Sequence, residues 1–232
     1  MPDYQKIYAT QASRYDQLLA REDYQGNLWR ALRQVRSFDG LDVVELGAGT
    51  GRLTCMVAPL VKTMRAFDIS PHMLDAARAK LGKTGLRNWR LCVGDNRRLP
   101  VRDGVADVCI AGWSLGHLTG WYPKTWRDEI EQCLAQIKRV LRPGGMVIIL
   151  ETLGTGEESP RPPADALAAY YRLLERVHGF TSTWIRTDYR FESLAEAEAL
   201  TRFFFGDELA DRVVRQDLTL LPECTGIWKH VC

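Results

Sequence analysis

The segment Val43-Val44-Glu45-Leu46-Gly47-Ala48-Gly49-Thr50-Gly51-Arg52 constrains this chain more than any other. A short apolar run reads as a strand buried on both faces of a parallel sheet. Glycine at three alternate positions after it lets the backbone turn sharply and come close to a ligand. Residues 51–61 read as a helix. A strand, a glycine loop and a helix N-terminus in that order form a site for a nucleotide-type cofactor. A dinucleotide fingerprint needs G-x-G-x-x-G, and the spacing here is G-x-G-x-G, which disfavours a nicotinamide oxidoreductase.

Two further strand ends repeat the theme. Met64 to Asp68 is a second short strand closing on an acid, where a doubly wound fold binds ribose hydroxyls. The third, 89–93, runs into Gly94-Asp95-Asn96. Strands near 105–111 and 145–151, with helices near 71–82 and 123–141, complete an alternation that implies a parallel sheet with helices on both faces. Arg142-Pro143-Gly144-Gly145 reads as a helix stop and turn.

The ordered set E-L-G-x-G-T-G, F-D-I-S-P-x-M-L, G-D-x-x-x-L-P and L-R-P-G-G, over residues 41–151, resembles a class I S-adenosylmethionine-dependent methyltransferase. The nearer likeness is to the small-molecule group that includes the quinone-biosynthesis methyltransferases. The resemblance implies an α/β, Rossmann-like, doubly wound seven-stranded sheet, mostly parallel with an antiparallel C-terminal strand, and an N-terminal helical lid. It implies one domain over 1–232, divided into the lid (1–38), the cofactor-binding core (39–151) and C-terminal strands with a cap (152–232). The implied activity is methyl transfer from S-adenosyl-L-methionine, by in-line displacement, to an O, N, C or S atom of a small molecule.

The resemblance also distributes roles. Gly47, Ala48, Gly49 and Gly51 would meet the methionyl carboxylate, with Glu45 near the ammonium. Asp68 is either a helix cap or the acceptor for the ribose hydroxyls. Ser70-Pro71 already supplies a cap and first turn, which frees Asp68 for the second role. Ile69 and Met73 would flank adenine or lie in the core. Asp95 and Asn96 would read its edge, or form a turn. Trp113, in the loop after strand four, would lie beside the reactive methyl group or in the core. His117 is the candidate general base, against a structural role. Tyr4, Tyr8, Tyr15, His117, Trp184 and Tyr189 are candidates for the acceptor pocket, with Arg190 and Phe191 beside them. Trp121, Tyr122 and Trp126 either wall it or pack. Arg97 and Arg98 read as solvated cations.

The C-terminal part has a looser texture. Residues 154–163 read as a loop, 164–177 as a helix and 181–191 as a strand. Ser193 and Glu196 form a capping box for a helix over 193–205. A further helix spans 207–215. The last strands cover 216–221 and 225–231, the resemblance implying the usual antiparallel sixth and seventh strands. Residues 3–35 read as one or two amphipathic helices.

Composition sets limits. The 232 residues carry a formal charge of +2, too little for a basic nucleic-acid-binding surface. A nucleic-acid methyltransferase is further disfavoured by Ala111-Gly112-Trp113-Ser114 standing where such enzymes carry an acid or Asn before Pro-Pro-aromatic. The N-terminal residues do not read as a signal peptide, and no apolar run is long enough for stable membrane insertion. Six cysteines show no C-x-x-C pair, so no metal site is expected and Cys224 alone keeps thiol chemistry open. The expected partner is a small-molecule acceptor, the compartment the cytoplasm, and the state a monomer or homodimer. The rival from another class is a non-catalytic S-adenosylmethionine-binding module acting through a partner.

Overall fold

The computed structural model describes residues 2–232. Its centre is a seven-stranded sheet built from β1 (Asp42–Leu46), β2 (Thr63–Asp68), β3 (Trp89–Val93), β4 (Ala106–Gly112), β5 (Leu141–Thr155), β6 (Thr181–Arg186) and β9 (Glu223–Val231). The spatial order is β3-β2-β1-β4-β5-β9-β6. β1 pairs in parallel with β2 on one side and β4 on the other. The chain therefore reverses its winding between β1 and β4, the place where doubly wound sheets open a crevice at their carboxyl edge. β9 runs antiparallel to both β5 and β6, so only β9 opposes the rest. This is the expected antiparallel C-terminal strand, paired antiparallel with the strand beside it.

β1 is buried at all five positions because helices cover both faces. Val44, Leu46, Cys109 and Ile149 pack on one side with α7 (Trp126–Val140) and α8 (Asp165–Arg176). Val43, Val108, Ile110 and Ile148 pack on the other with α3 (Asn27–Val35) and α4 (Arg52–Val57). α4 is shorter than the expected 51–61 because a turn at 58–60 bonds Leu60 N–H to Val57 O. On the way into β5, Arg142-Pro143-Gly144-Gly145 bulges rather than separating helix from strand, since Ala106 pairs Leu141 and Val108 pairs Met146. The Arg142 guanidinium ties Asp107 (2.6 Å) to Asp42 (2.9 Å), fastening β5 to β4 and β1 at the sheet's amino edge.

The N-terminal residues form three helices, α1 (Tyr4–Thr10), α2 (Ala12–Leu19) and α3, rather than one or two. Asp23 and Gly26 lie at positive φ, and the Asp23 carboxylate accepts from Asn27 N and Leu28 N, which ends one run and caps the next. α1 and α2 lie across the carboxyl edge against α5 (Pro71–Leu81). Ser70 Oγ donates to Tyr8 O (2.8 Å), and Asp16 takes Lys80 (2.6 Å) and Thr50 Oγ1 (2.7 Å). Leu18 of α2 also packs with Tyr189, Leu200 and Val213, joining it to α9 (Leu194–Phe204) and α10 (Asp207–Arg215).

The expected strand over 181–191 breaks after Arg186. Asp188 takes the Arg186 guanidinium (2.7 Å) and the Glu223 N–H (3.0 Å), which turns the chain off the sheet. Beyond that turn β7 (Tyr189–Arg190) pairs with β8 (Leu220–Leu221) in a separate ribbon, and β8 is all that forms of the strand expected over 216–221. At α9, Ser193 caps Glu196 N–H as expected, while the Glu196 carboxylate returns to Glu192 N–H. Among the described residues no helix is long and apolar enough to cross a membrane.

Candidate functional site

At the carboxyl edge, between the glycine loop and the N-terminal helices, lies a cavity of about 500 Å³. Its floor is the loop after β1. Gly47 and Gly49 adopt φ of 71° and 53°, and Gly47 packs so closely on Ser114 that a Cβ there would lie 2.2 Å from the Ser114 Cβ. Gly51 is not in the wall. It starts α4 at φ 82°, packed against Ala77 of α5.

Three carboxyls end the strands. Glu45 is buried and accepts from Thr54 Oγ1 (2.6 Å). Burial pushes it up to about 8, against the Thr54 bond and with the Asp68 charge adding to the rise. Asp68 accepts from Ser70 N–H and Gly49 N–H, both at 2.8 Å, and burial still holds it above the usual carboxylate range. Each Asp68 oxygen thus holds the loop in shape with one lone pair and keeps a second available. Asp95 is engaged by Arg97, through its N–H (2.8 Å) and Nε (2.9 Å), which draws Asp95 below its ordinary value. Arg97 is therefore no solvated cation. It lines the cavity, bonds Glu129 (2.9 Å) and lies 4.9 Å from the Tyr122 ring centroid. Arg98 is outside the wall.

Ile69, 60% exposed, and buried Met73 supply apolar surface between Asp68 and Asp95, with Asn96 alongside. Ala48 and Trp113 complete the wall beside Glu45. Trp113 has φ 48°, in the left-handed region that bulky residues rarely adopt, and the Arg52 guanidinium sits 5.0 Å from its ring.

The opposite wall is aromatic. The Tyr8 hydroxyl and His117 Nε2 share a hydrogen bond of 2.9 Å. His117 and Trp121 are the two ends of α6 (His117–Trp121), and their rings stack with centroids 5.0 Å apart and planes at 10°. Burial lowers its pKa to about 4, so the ring is neutral at pH 7. Tyr4 packs on both His117 and Tyr8 from behind, and Tyr15 meets Tyr8 edge-on at 5.5 Å. Burial raises the phenols of Tyr8 and Tyr15, which stay protonated.

Three expected pocket residues are not in the wall: Tyr4, which packs behind it, and two that lie elsewhere. Trp184, 44% exposed on the outermost strand, lines a separate cleft with Trp228 and Tyr171. Tyr189 is buried with Phe191 and Leu18, where it joins α2 to the C-terminal helices. Arg190, Phe191 and Trp126 are also outside the wall, whereas Trp121 and Tyr122 are in it. Cys224 is buried, its Sγ 3.4 Å from Glu157 O. Among the described residues no group of three His, Cys, Asp or Glu side chains could hold a metal ion. Arg52, Arg97 and Ser114 were not foreseen in the wall. Arg52 had a signal, since the first residue after a glycine loop's helix start faces the loop's ligand side.

The residues fit the cofactor that the motifs imply. The cavity lies within the usual range for small-molecule sites, about 300–1,000 Å³. Side-chain-free backbone lines its floor, and its carboxylates suit an ammonium, a diol and an amino group. The Arg97–Asp95 pair is the one element in competition, because it engages the acid meant for adenine.

Comparison with known proteins agrees. Residues 44–149 match a family model described as a methyltransferase domain. The chain is 32% identical over 155 residues to a demethylmenaquinone methyltransferase of Lactococcus lactis, covering 64% of this chain and 58% of that one. It is 29% identical over 149 residues to a malonyl-[acyl-carrier protein] O-methyltransferase of Serratia marcescens, covering 64% and 52%. The chain thus spans little more than half the length of these two relatives. A solved structure, a SAM dependent methyltransferase from Aquifex aeolicus, superposes with a TM-score of 0.54 at 15% identity over 99% of this chain and 94% of that one, a likeness of fold. Over residues 44–149 the chain is thus similar to a methyltransferase domain, and it shares the fold of a solved S-adenosylmethionine-dependent methyltransferase.

Proposed function

We propose that this chain transfers a methyl group from S-adenosyl-L-methionine to a small-molecule acceptor. One observation carries the reading: the glycine loop and the strand-end acids form one wall of a cavity whose other wall is the aromatic face of Tyr8, Tyr15, His117 and Trp121. Bound S-adenosyl-L-methionine supplies an electrophilic methyl on a sulfonium, transferred by in-line displacement.

The chain's own residues bind, orient and exclude water. Glu45 and Asp68 accept from the donor's ammonium and ribose. A cation beside Glu45 restores its charged form, so binding and ionisation favour each other. Gly47, Ala48 and Gly49 let backbone approach the ligand. α1 and α2 cover the site, and the Tyr4, Tyr8 and Trp121 rings keep water from the acceptor. Alignment of the two reactants can supply about 7–11 kcal/mol of the barrier. His117, neutral at pH 7 and steered by Tyr8, takes the proton of an acceptor that carries one, and an acceptor without one does not need it. The relatives are named for a menaquinone precursor and for a malonyl group on a carrier protein, which supports a small organic acceptor and leaves its reacting atom, O, N, C or S, to experiment.

The test is incubation with methyl-labelled S-adenosyl-L-methionine and a panel of phenols, quinols, amines, thiols and carboxylic acids. Label is expected in at least one class. No transfer to any, with the donor bound, favours a binding module acting through a partner.

A further inference from the structure

β5 outruns β4 at the carboxyl edge: the last pair between them is Gly112 with Leu150, and Glu151 is the next residue of β5. Glu151 is 3% exposed, buried beneath the segment 113–116 that carries the chain from β4 to α6. Its Oε1 accepts the Gly116 N–H at 2.8 Å. Its Oε2 packs so closely on Gly116 that a Cβ there would lie 2.8 Å from it. Among the described residues no cation pairs with this carboxyl, and burial pushes it up to about 8, so it is neutral at pH 7. An acid without a counter-ion is costly to bury, and nothing in the proposed mechanism uses this one.

The other bonds that fasten the 113–116 segment act at its start. Trp113 N–H bonds Leu150 O (2.7 Å), and Ser114 Oγ donates to Leu46 O (3.1 Å). Glu151 acts at its end, on the residue directly before His117. α6 is only five residues long, and Gly116 has no side chain with which to cap it. Its first turn closes through Leu118 N–H to Leu115 O (3.0 Å) and Thr119 Oγ1 to Gly116 O (2.8 Å), so the Gly116 peptide is the pivot of that turn. The carboxyl that fixes this pivot fixes where α6 starts. With it goes the direction in which His117 leaves the backbone towards Tyr8 and the cavity.

We propose that Glu151 is a positioning residue: through the Gly116 N–H it sets the His117 ring against Tyr8 in the cavity wall. The kinetic consequence rests on the reading of His117 as proton acceptor in a methyl transfer. The placement of the ring stands on the geometry alone. Glu151 touches neither donor nor acceptor, since it lies behind the wall and not in it.

The experiment is NMR of the full chain with isotope-labelled histidine, His117→Phe identifying the signal among the four histidines. Glu151→Met removes the acceptor and keeps the volume, while Glu151→Gln keeps an oxygen for the Gly116 N–H. In wild type the His117 ring stays neutral between about pH 5.5 and 8, since burial lowers its pKa to about 4. In Glu151→Met the ring leaves the wall and titrates within that window, near the ordinary value of about 6.5. Glu151→Gln restores the neutral ring. A folded Glu151→Met whose His117 still does not titrate overturns the proposal, whatever its melting temperature. Should Glu151→Met not fold, Gly116→Ala, whose Cβ would push the carboxyl away from the other side, takes its place. In wild type itself the Gly116 amide exchanges slowly with deuterium, and fast exchange there overturns the proposal with no variant at all. With an acceptor that gives up a proton, Glu151→Met slows transfer about 10- to 100-fold, leaves donor affinity unchanged and adds nothing to His117→Phe. Effects that multiply place Glu151 on another route and overturn the proposal. A wild type that binds the donor and transfers no methyl group refutes instead the methyltransferase reading, and the NMR result still decides the role of Glu151.

Discussion

Alanine at two neighbouring glycines separates what the loop does for the fold from what it does for a ligand. Gly47 and Gly49 both sit at positive φ, so Ala at either costs about 1 kcal/mol of backbone strain. At Gly47 the new Cβ would lie 2.2 Å from the Ser114 Cβ and 2.8 Å from its Oγ. Ser114 cannot simply swing away, since its hydroxyl donates to Leu46 O at 3.1 Å. Forcing a methyl into a closed contact adds about 1–3 kcal/mol. At Gly49 nothing lies within 4 Å, and the methyl would project into the cavity space the residue lines. Gly47→Ala should therefore lose about 3 kcal/mol and Gly49→Ala about 1 kcal/mol, which for a chain of this size is a fall in Tm of roughly 9 °C against roughly 3 °C. Calorimetry with S-adenosyl-L-methionine should rank them the other way, with Gly49→Ala weakened about tenfold or more while most of its stability remains. Equal melting temperatures would refute the close packing of the loop on Ser114. Undiminished affinity in Gly49→Ala would refute the loop as the ligand's floor.

Asp68→Ala removes the acceptor that orders Gly49 and Ser70, and should weaken S-adenosyl-L-methionine binding about 10- to 100-fold, with unchanged affinity excluding the ribose role. His117→Phe should leave donor affinity within about twofold and slow transfer by about 10²–10⁴ for a protonated acceptor only, so that slowed transfer to an amine as well would point to packing. Stability should fall between pH 6 and pH 8. Glu45, Glu151 and Glu223 sit near 8 when folded and near 4.3 when unfolded, so over that window the folded chain holds protons that the unfolded chain has released. His117 has the opposite sign: its contribution is complete above about 6.5 and is lost as pH falls towards about 4. Urea titrations at pH 6 and 8 check this, and equal stability at both would contradict the buried, protonated carboxyls.

The core of the site was legible because local rules govern it. An apolar run with glycines behind it has one economical geometry, and Asp68 followed by Ser-Pro fixes where β2 ends and α5 begins. Asp95 and Arg97 show where local reading stops: two adjacent arginines look solvated, and only Glu129, on α7, and Tyr122 reveal that one is tied inward. Trp184 and Tyr189 fail differently. Residue type marks an aromatic as pocket material but gives no address, and the strand that would have carried both breaks after Arg186, where the Asp188 carboxylate takes the Arg186 guanidinium and the Glu223 N–H.

One titration of the purified chain with S-adenosyl-L-methionine and, separately, with NADH tests the cofactor site most directly. Saturable one-to-one binding of the first, competed by S-adenosylhomocysteine, is expected, with no heat of binding from the second. Binding of NADH without S-adenosyl-L-methionine would contradict the proposed function.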